Sequence, residues 1–101
     1  MTLTDFLLAR IDDDEAAASR AGSFAPWSEP FQIDNYGHLT VQPDRVLADC
    51  EAKRQLVEDW QMHAQQEGPE ARTVARVLLS ALCVLAVPYA DHPDYDESWR
   101  P

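Results

Sequence analysis

A Gly68-Pro69 step divides the second half of the chain and constrains its fold more than any other feature. Glycine adopts backbone conformations that end a helix, whereas proline lacks an N–H group and is tolerated in a first helical turn but not in a helix interior. Apolar residues recur every three to four positions on both sides of this step, as in amphipathic helices. Two helices joined by so short a break pack antiparallel as an αα-hairpin.

The second and third helices are predicted over about residues 43–66 and 69–87. Pro43 suits the first position of the second helix, and Pro88 ends the apolar pattern of the third. The apolar positions of the third helix run almost all round it, so we expect this helix to be the most buried element. These positions are Val74, Val77, Leu78, Leu79, Ala81, Leu82, Cys83, Val84 and Leu85.

A first helix is predicted over about residues 4–21, with Thr4 as its N-cap and Gly22 at its end. Residues 22–30 contain two prolines and no periodicity, so they should form an extended connector whose Phe24 and Trp27 fold back onto the core.

Two short β-compatible runs flank the turn-forming residues 34–37, which predicts a small β-hairpin over about residues 31–41. After the third helix, an extended C-terminal tail should follow Pro88. The predicted fold class is therefore mainly α (α+β), with three helices and one hairpin. We expect a single domain over residues 1–101.

Acidic residues dominate the charge of the chain, with eighteen Asp and Glu against eight Lys and Arg and a net charge of −10. Direct binding to a nucleic acid or an anionic membrane needs a basic patch and is disfavoured. The longest apolar run, residues 77–87, is about half a membrane span, and the N-terminus lacks the positive flank of a signal peptide. We expect a soluble, cytoplasmic protein.

The two cysteines, Cys50 and Cys83, are too few for a disulfide scaffold or a four-ligand zinc site. In an αα-hairpin that turns near residue 67 they lie at matching heights, so they should be near neighbours if both face the helix seam. In a reducing cytosol both are expected to be thiols.

Partner-binding residues are sought in the acidic, aromatic tail and in an acidic run on the first helix. Buried aromatic side chains often anchor interfaces, which makes the tail rings candidates. The alternative is that these rings cover the ends of the protein's own helices. The acidic run repels itself, and only Arg10 is placed to answer it, through Asp14. The candidates are Tyr89, Tyr95, Trp99, Asp12, Asp13, Asp14 and Glu15.

Evidence for catalysis is weak, because the chain has no glycine-rich phosphate loop and no HExxH or GxSxG motif. Asp59 and His63 are four residues apart on the second helix, a spacing that suits a shared metal ion, and His92 adds an imidazole in the tail. We expect no enzyme activity, no metal site and no cofactor, with a metal-binding protein or enzyme using these three residues as an alternative.

Several stretches of the chain carry a resemblance, in order along most of its length: residues 6–12, 14–18, 25–27, 43–47, 50–54 and 85–95, with Trp99. Together they resemble a family of small actinobacterial and actinophage proteins catalogued as domain of unknown function 6221. Many members carry a cysteine-containing insertion, suggestive of a zinc knuckle, between the equivalents of the second and third helices. Residues 64–70 occupy that place here and contain no cysteine. The resemblance implies an origin in actinobacteria or their phages and no particular activity.

These observations favour a non-enzymatic protein–protein interaction or regulatory module with an unknown protein partner, which includes self-association into a homo-oligomer. The alternative from a different class is a nucleic-acid mimic, in which the carboxylates of residues 12–15 and of the tail imitate phosphates and occupy a DNA-binding protein.

Overall fold

The computed structural model describes residues 1–21, 31–33, 39–41 and 43–101. Within these ranges the chain forms three α-helices, α1 (Leu3–Ala21), α2 (Pro43–Gln65) and α3 (Pro69–Ala86). Each begins and ends within one residue of the position predicted from the sequence. α2 packs against both α1 and α3 and is therefore the central helix of the described part of the chain.

The mixed α+β class predicted from the sequence is wrong, because the fold is helical. At the predicted hairpin, the described residues contain two three-residue segments, β1 (Phe31–Ile33) and β2 (Leu39–Val41), paired antiparallel. Two strands this short make no sheet that serves as a layer of a core. A local pattern identifies residues that favour a β-strand, but it does not show whether enough strands come together to form a sheet. The turn predicted at residues 34–37 and the connector predicted at residues 22–30 lie outside the described residues.

The start of α1 is held by a capping box two residues before the predicted cap. The backbone N–H of Asp5 donates to the Thr2 hydroxyl at 3.2 Å, and the backbone N–H of Thr2 donates to the Asp5 carboxylate at 3.2 Å. Each side chain thus satisfies a backbone donor that the helix leaves free. These bonds hold the pKa of Asp5 below its usual value. The N-cap is Thr2 and not Thr4 as predicted.

The turn between α2 and α3 has the chemistry expected of the Gly68-Pro69 step. Gly68 has a φ of 107°, a left-handed conformation that other residues rarely adopt, and Pro69 follows as the first residue of α3. The backbone N–H of Arg72 donates to the Gly68 carbonyl at 3.1 Å and closes the first turn of α3. The short turn places α3 beside α2.

The centre of the core is Phe6 of α1, which is fully buried. It belongs to a cluster to which α2 contributes Val57 and α3 contributes Leu82 and Ala86. Burying a side chain of this size stabilises the fold by about 1.5–3 kcal/mol. α1 thus supplies the largest buried ring, and the other two helices pack against it.

The tail is not extended as predicted, because it folds into consecutive tight turns. Residues Val87–Tyr89 and Glu97–Trp99 form single turns of 3₁₀ helix. The Asp96 carboxylate accepts a hydrogen bond of 2.9 Å from the backbone N–H of Ser98 and caps the second of these turns. The turns shorten the tail and bring its rings back to α1.

α3 is also not the most buried element as predicted. In α1, Leu3, Phe6, Leu7, Ile11 and Ala18 are buried, whereas the buried residues of α3 are Leu82 and Ala86. Apolar side chains run almost all round α3, but its neighbours cover one side of it. The uncovered side stays in contact with solvent.

Candidate protein-interaction surface

The aromatic residues of the tail, predicted as partner contacts, pack onto the protein's own core. The ring centroids of Tyr95 and Trp99 lie 5.9 and 5.2 Å from that of Phe6, and that of Tyr89 lies 6.4 Å away. Tyr95 is buried, and the other two tail rings are partly buried against the same cluster. Contacts of this geometry contribute about 0.5–1.5 kcal/mol beyond area burial. A partner could reach the buried ring of Tyr95 only by displacing the tail from Phe6.

Tyr89 joins the tail to both α1 and α2 through a polar network. Its hydroxyl donates to the Asp14 carboxylate at 2.7 Å and accepts from the Lys53 ammonium at 3.2 Å. Lys53 in turn forms an ion pair of 2.8 Å with Asp49, one helical turn before it in α2.

This network shifts the pKa values of both central groups. Burial and the hydrogen bond to Asp14 raise the pKa of Tyr89, against the opposing effect of the Lys53 ammonium. Burial alone would lower the pKa of Lys53, but its hydrogen bonds with Asp49 and Tyr89 outweigh burial and raise that pKa above its usual value. The Lys53 side chain is therefore a charged group that is largely buried between its partners.

The carboxylates of the acidic run on α1 have partners within the fold. Arg54 of α2 reaches across to the carboxylates of both Asp12 and Glu15. Arg10 pairs with Asp13 at 3.1 Å, and not with Asp14 as predicted. Together with the bond from Tyr89 to Asp14, these contacts give every carboxylate of the run an internal partner. The sequence offered no signal for Arg54, because its approach depends on how α2 lies against α1.

The residues of the metal alternative are not brought together. The His63 ring bonds through Nδ1 to the Asp59 backbone carbonyl at 2.8 Å, whereas the Asp59 carboxylate accepts from Gln55 at 2.9 Å. His92 instead lies against Phe6 on α1 and hydrogen-bonds Arg10. Among the residues that the structure describes, no group of three or more His, Cys, Asp and Glu side chains is arranged to hold a metal ion.

Both cysteines are free thiols. Cys50 is buried with its Sγ 3.9 Å from the Ile11 carbonyl, so it faces α1 and not the seam with α3. Burial, together with the nearby carboxylates of Asp14 and Asp49, raises the pKa of the Cys50 thiol. A protonated buried thiol behaves as a small apolar side chain, which is the role of Cys50 here.

The exposed side of α3 and the residue that follows it carry a row of valines, of which Val74, Val77 and Val84 were expected in the most buried helix. Val74, Val77, Val84 and Val87 are 40, 64, 57 and 38% exposed, and we call them the valine face. Residues 77–90 contain no charged side chain. Exposed apolar side chains grouped on a helix are typical of sites where a protein or membrane binds. The signal in the sequence was an apolar pattern too wide for one helix to bury against two neighbours.

The polar side chains beside the valine face make their hydrogen bonds within α3. The Ser80 hydroxyl donates to the Arg76 carbonyl at 3.2 Å, and the Thr73 hydroxyl donates to the Pro69 carbonyl at 2.9 Å. Both hydroxyls therefore keep a partner when water is excluded, so covering this surface carries little of the usual cost of burying polar groups.

Within the described residues, the segment Pro69–Tyr89 is long and apolar enough to cross a membrane by length and composition, with a mean hydropathy of 1.6. Such a helix is weak evidence for a membrane span, because core helices of soluble proteins pass the same test. Only 11% of this apolar segment is buried in the fold, however. Burial in the protein's own core thus does not explain why this segment is so apolar.

The helices, the internally paired acidic run and the valine face define a small acidic helical protein with an exposed apolar helix surface. The chain belongs to the Family of unknown function (DUF6221), whose family model matches residues 1–101. This match confirms the resemblance found in the sequence. Comparison with curated proteins gave no match, and neither did comparison with solved structures.

Proposed function

We propose that this chain is a non-enzymatic protein–protein interaction module that binds its partner through the valine face of α3. The observation that carries the proposal is the exposure of Val77 and Val84 on a stretch of helix without charged side chains. Exposed apolar patches on soluble proteins are characteristic of interaction sites. We also propose that the chain is a single domain and that it lies in the cytoplasm. The free thiols of Cys50 and Cys83 support a reducing compartment.

The geometry supports the valine face over the two surfaces first considered from the sequence. A partner that contacts Tyr95 has to separate it from Phe6, which costs the packing energy of a buried ring. A partner that binds Asp12 or Glu15, as in nucleic-acid mimicry, has to compete with Arg54. The valine face is available without breaking any contact inside the protein.

Affinity capture with a matched pair of variants tests the proposal. Val77→Lys places a charge in the centre of the valine face, whereas Ala52→Lys places the same charge on an exposed position of α2. We expect a partner protein captured by the unmodified chain to be retained by Ala52→Lys and lost by at least about tenfold with Val77→Lys. Binding should then be reproduced with the purified partner. Equal capture by both variants would show that the valine face is not the binding site.

A further inference from the structure

We propose that the partner of the valine face is a second copy of this chain, bound by antiparallel pairing of two α3 helices. The two-fold axis of this pair passes between Ser80 and Ala81. The inference rests on the proposed function and specifies its partner. It is carried by the spacing and exposure of the valines, by the polar groups beside them and by the distribution of charge.

The valine face is symmetric about its own midpoint. In an antiparallel pair with this axis, each residue lies opposite the one equally far from the axis in the other helix. Val77 then faces the partner's Val84, and Val74 faces the partner's Val87. Their exposures, 64 and 57% for the inner pair and 40 and 38% for the outer pair, follow the same symmetry. A two-fold interface requires one patch that is complementary to itself, and this patch has that property.

The symmetry also holds around the helix. At about 100° per residue, Val77 and Val84 lie about 20° apart around α3, and Val74 and Val87 lie about 70° to either side of their midline. The row of valines thus crosses the helix obliquely, so the two helices pack at an angle. The small side chains of Ser80 and Ala81 lie at the crossing point and permit close approach.

The residues of the valine face lose little conformational freedom and no hydrogen bond when a second α3 helix covers them. Valine has one strongly preferred rotamer in a helix, so its side chain gives up little entropy on burial. The hydroxyls of Ser80 and Thr73 already bond to carbonyls of α3 and are not left without a partner. Neither conformational freedom nor unsatisfied polar groups therefore oppose the pairing strongly.

Charge permits this pairing despite the net charge of −10. The acidic run on α1 is paired internally, and residues 77–90 carry no charge. Between Val74 and Val87 the charged residue is Arg76, which lies opposite the partner's uncharged Leu85 in this register, so the two α3 helices bring no like charges together. The apolar contacts therefore determine affinity.

The seam between Val74 and Val87 is about 20 Å long, which is one helix face per protomer. Interfaces of this size belong to the small class, below about 1,200 Å² in total, typical of weak or transient association. We therefore expect a dissociation constant in the micromolar range. A membrane is the other possible occupant of an apolar helix, but it gives no reason for the valines to be arranged symmetrically.

Sedimentation velocity of the full chain between about 1 and 200 μM tests the proposal. The unmodified protein should pass from its monomer mass of 11.4 kDa towards twice that mass as concentration rises. Val77→Lys and Val84→Glu should each weaken association at least about tenfold. Ala52→Lys and Ala52→Glu, on the exposed side of α2, should not. Circular dichroism verifies that each variant keeps its helices.

Mixing the Val77→Lys and Val84→Glu proteins tests the register. In the proposed pair, Lys at position 77 of one copy lies opposite Glu at position 84 of the other, while the remaining contact keeps its two valines. The mixture should therefore associate more strongly than either variant alone. Failure of the mixture to associate would overturn the pairing.

Three further outcomes would also overturn the second copy as partner. One is an unmodified protein that stays monomeric throughout the concentration range. Another is a monomer that co-sediments with phosphatidylcholine vesicles, which identifies a membrane as the occupant. The third is a monomer that captures a different protein through Val77, in which case the proposed interaction function stands. A monomer that captures no protein through Val77 would overturn both proposals.

Discussion

At the scale of single residues, two tyrosines of the tail have opposite hydrogen-bonding states. The Tyr89 hydroxyl bonds to Asp14 and Lys53, which ties the tail to α1 and α2. The Tyr95 hydroxyl is buried without a hydrogen-bond partner within the described part of the chain. A bonded hydroxyl stabilises a fold, whereas an unpaired buried one costs free energy. Identical substitutions at the two positions should therefore have different effects.

Removing each hydroxyl in turn provides a matched comparison. We expect Tyr89→Phe to lower the free energy of unfolding by about 1 kcal/mol, because Asp14 and Lys53 each lose a hydrogen bond. Tyr95→Phe keeps the ring against Phe6 and should leave the stability unchanged or raise it by up to about 1 kcal/mol. Urea denaturation at neutral pH measures both. A larger loss from Tyr95→Phe than from Tyr89→Phe would contradict the assignment.

The same network predicts lower stability in alkali. Burial raises the pKa of Cys50 and of Tyr89, so above about pH 8.5 and pH 10 the unfolded chain releases protons that the folded chain keeps. Lys53, whose pKa is raised by its partners, contributes stability that is complete below about pH 10.4 and is lost as pH rises further. All three effects lower the free energy of unfolding with increasing pH.

We expect the urea midpoint to fall progressively between about pH 8.5 and 11, and to fall less above pH 10 in Tyr89→Phe. Denaturation series across this range provide the measurement. A midpoint that stays constant would exclude these three groups as contributors to stability.

At the scale of elements, the tail acts as a cap on α1. Its turns are closed by local hydrogen bonds, such as that from Trp99 N–H to the Asp96 carbonyl at 2.9 Å. The rings so positioned pack on Phe6 together with Val57, Leu82 and Ala86 of the other helices. The tail is thus a structural part of the fold.

Truncation after Pro88 should prevent stable folding. The shortened chain loses Tyr89, Tyr95 and Trp99, and loss of one large buried aromatic side chain alone costs about 3–5 kcal/mol against a total stability of about 5–15 kcal/mol. Removal of Arg100 and Pro101 alone, which are exposed, is the control and should have a small effect. Far-ultraviolet circular dichroism and thermal unfolding distinguish the two. A truncated chain with the stability of the control would show that the tail is dispensable.

At the scale of the whole molecule, polar and apolar surfaces lie on different helices. Arg54 of α2 pairs with the carboxylates of Asp12 and Glu15 on α1, whereas α3 exposes valines to solvent. A net charge of −10 gives solubility without placing charge on the valine face. In the proposed association, this separation lets an acidic protein pair through an apolar helix. Partner capture and sedimentation velocity with the position-77 variants test it.

Local patterns were sufficient to predict the helices but not their surroundings. Gly68 and Pro69 separate α2 from α3 through backbone conformations that are properties of the residues themselves. The valine face was missed because periodicity indicates that a side is apolar and not whether another element covers it. Arg54 was missed because its partners are about forty positions away in the chain, and only the packing of α2 on α1 brings them together.

The sequence by itself determined the bounds of the helices, the acidic character of the chain and its membership of the family, since these depend on local backbone preferences and on residue order. The tertiary structure decided which apolar residues are buried, which groups pair with the acidic run and that the tail folds back onto Phe6. Those outcomes depend on contacts between distant parts of the chain. The exposed valines of α3 became visible as a surface only when the positions of α1, α2 and the tail were known.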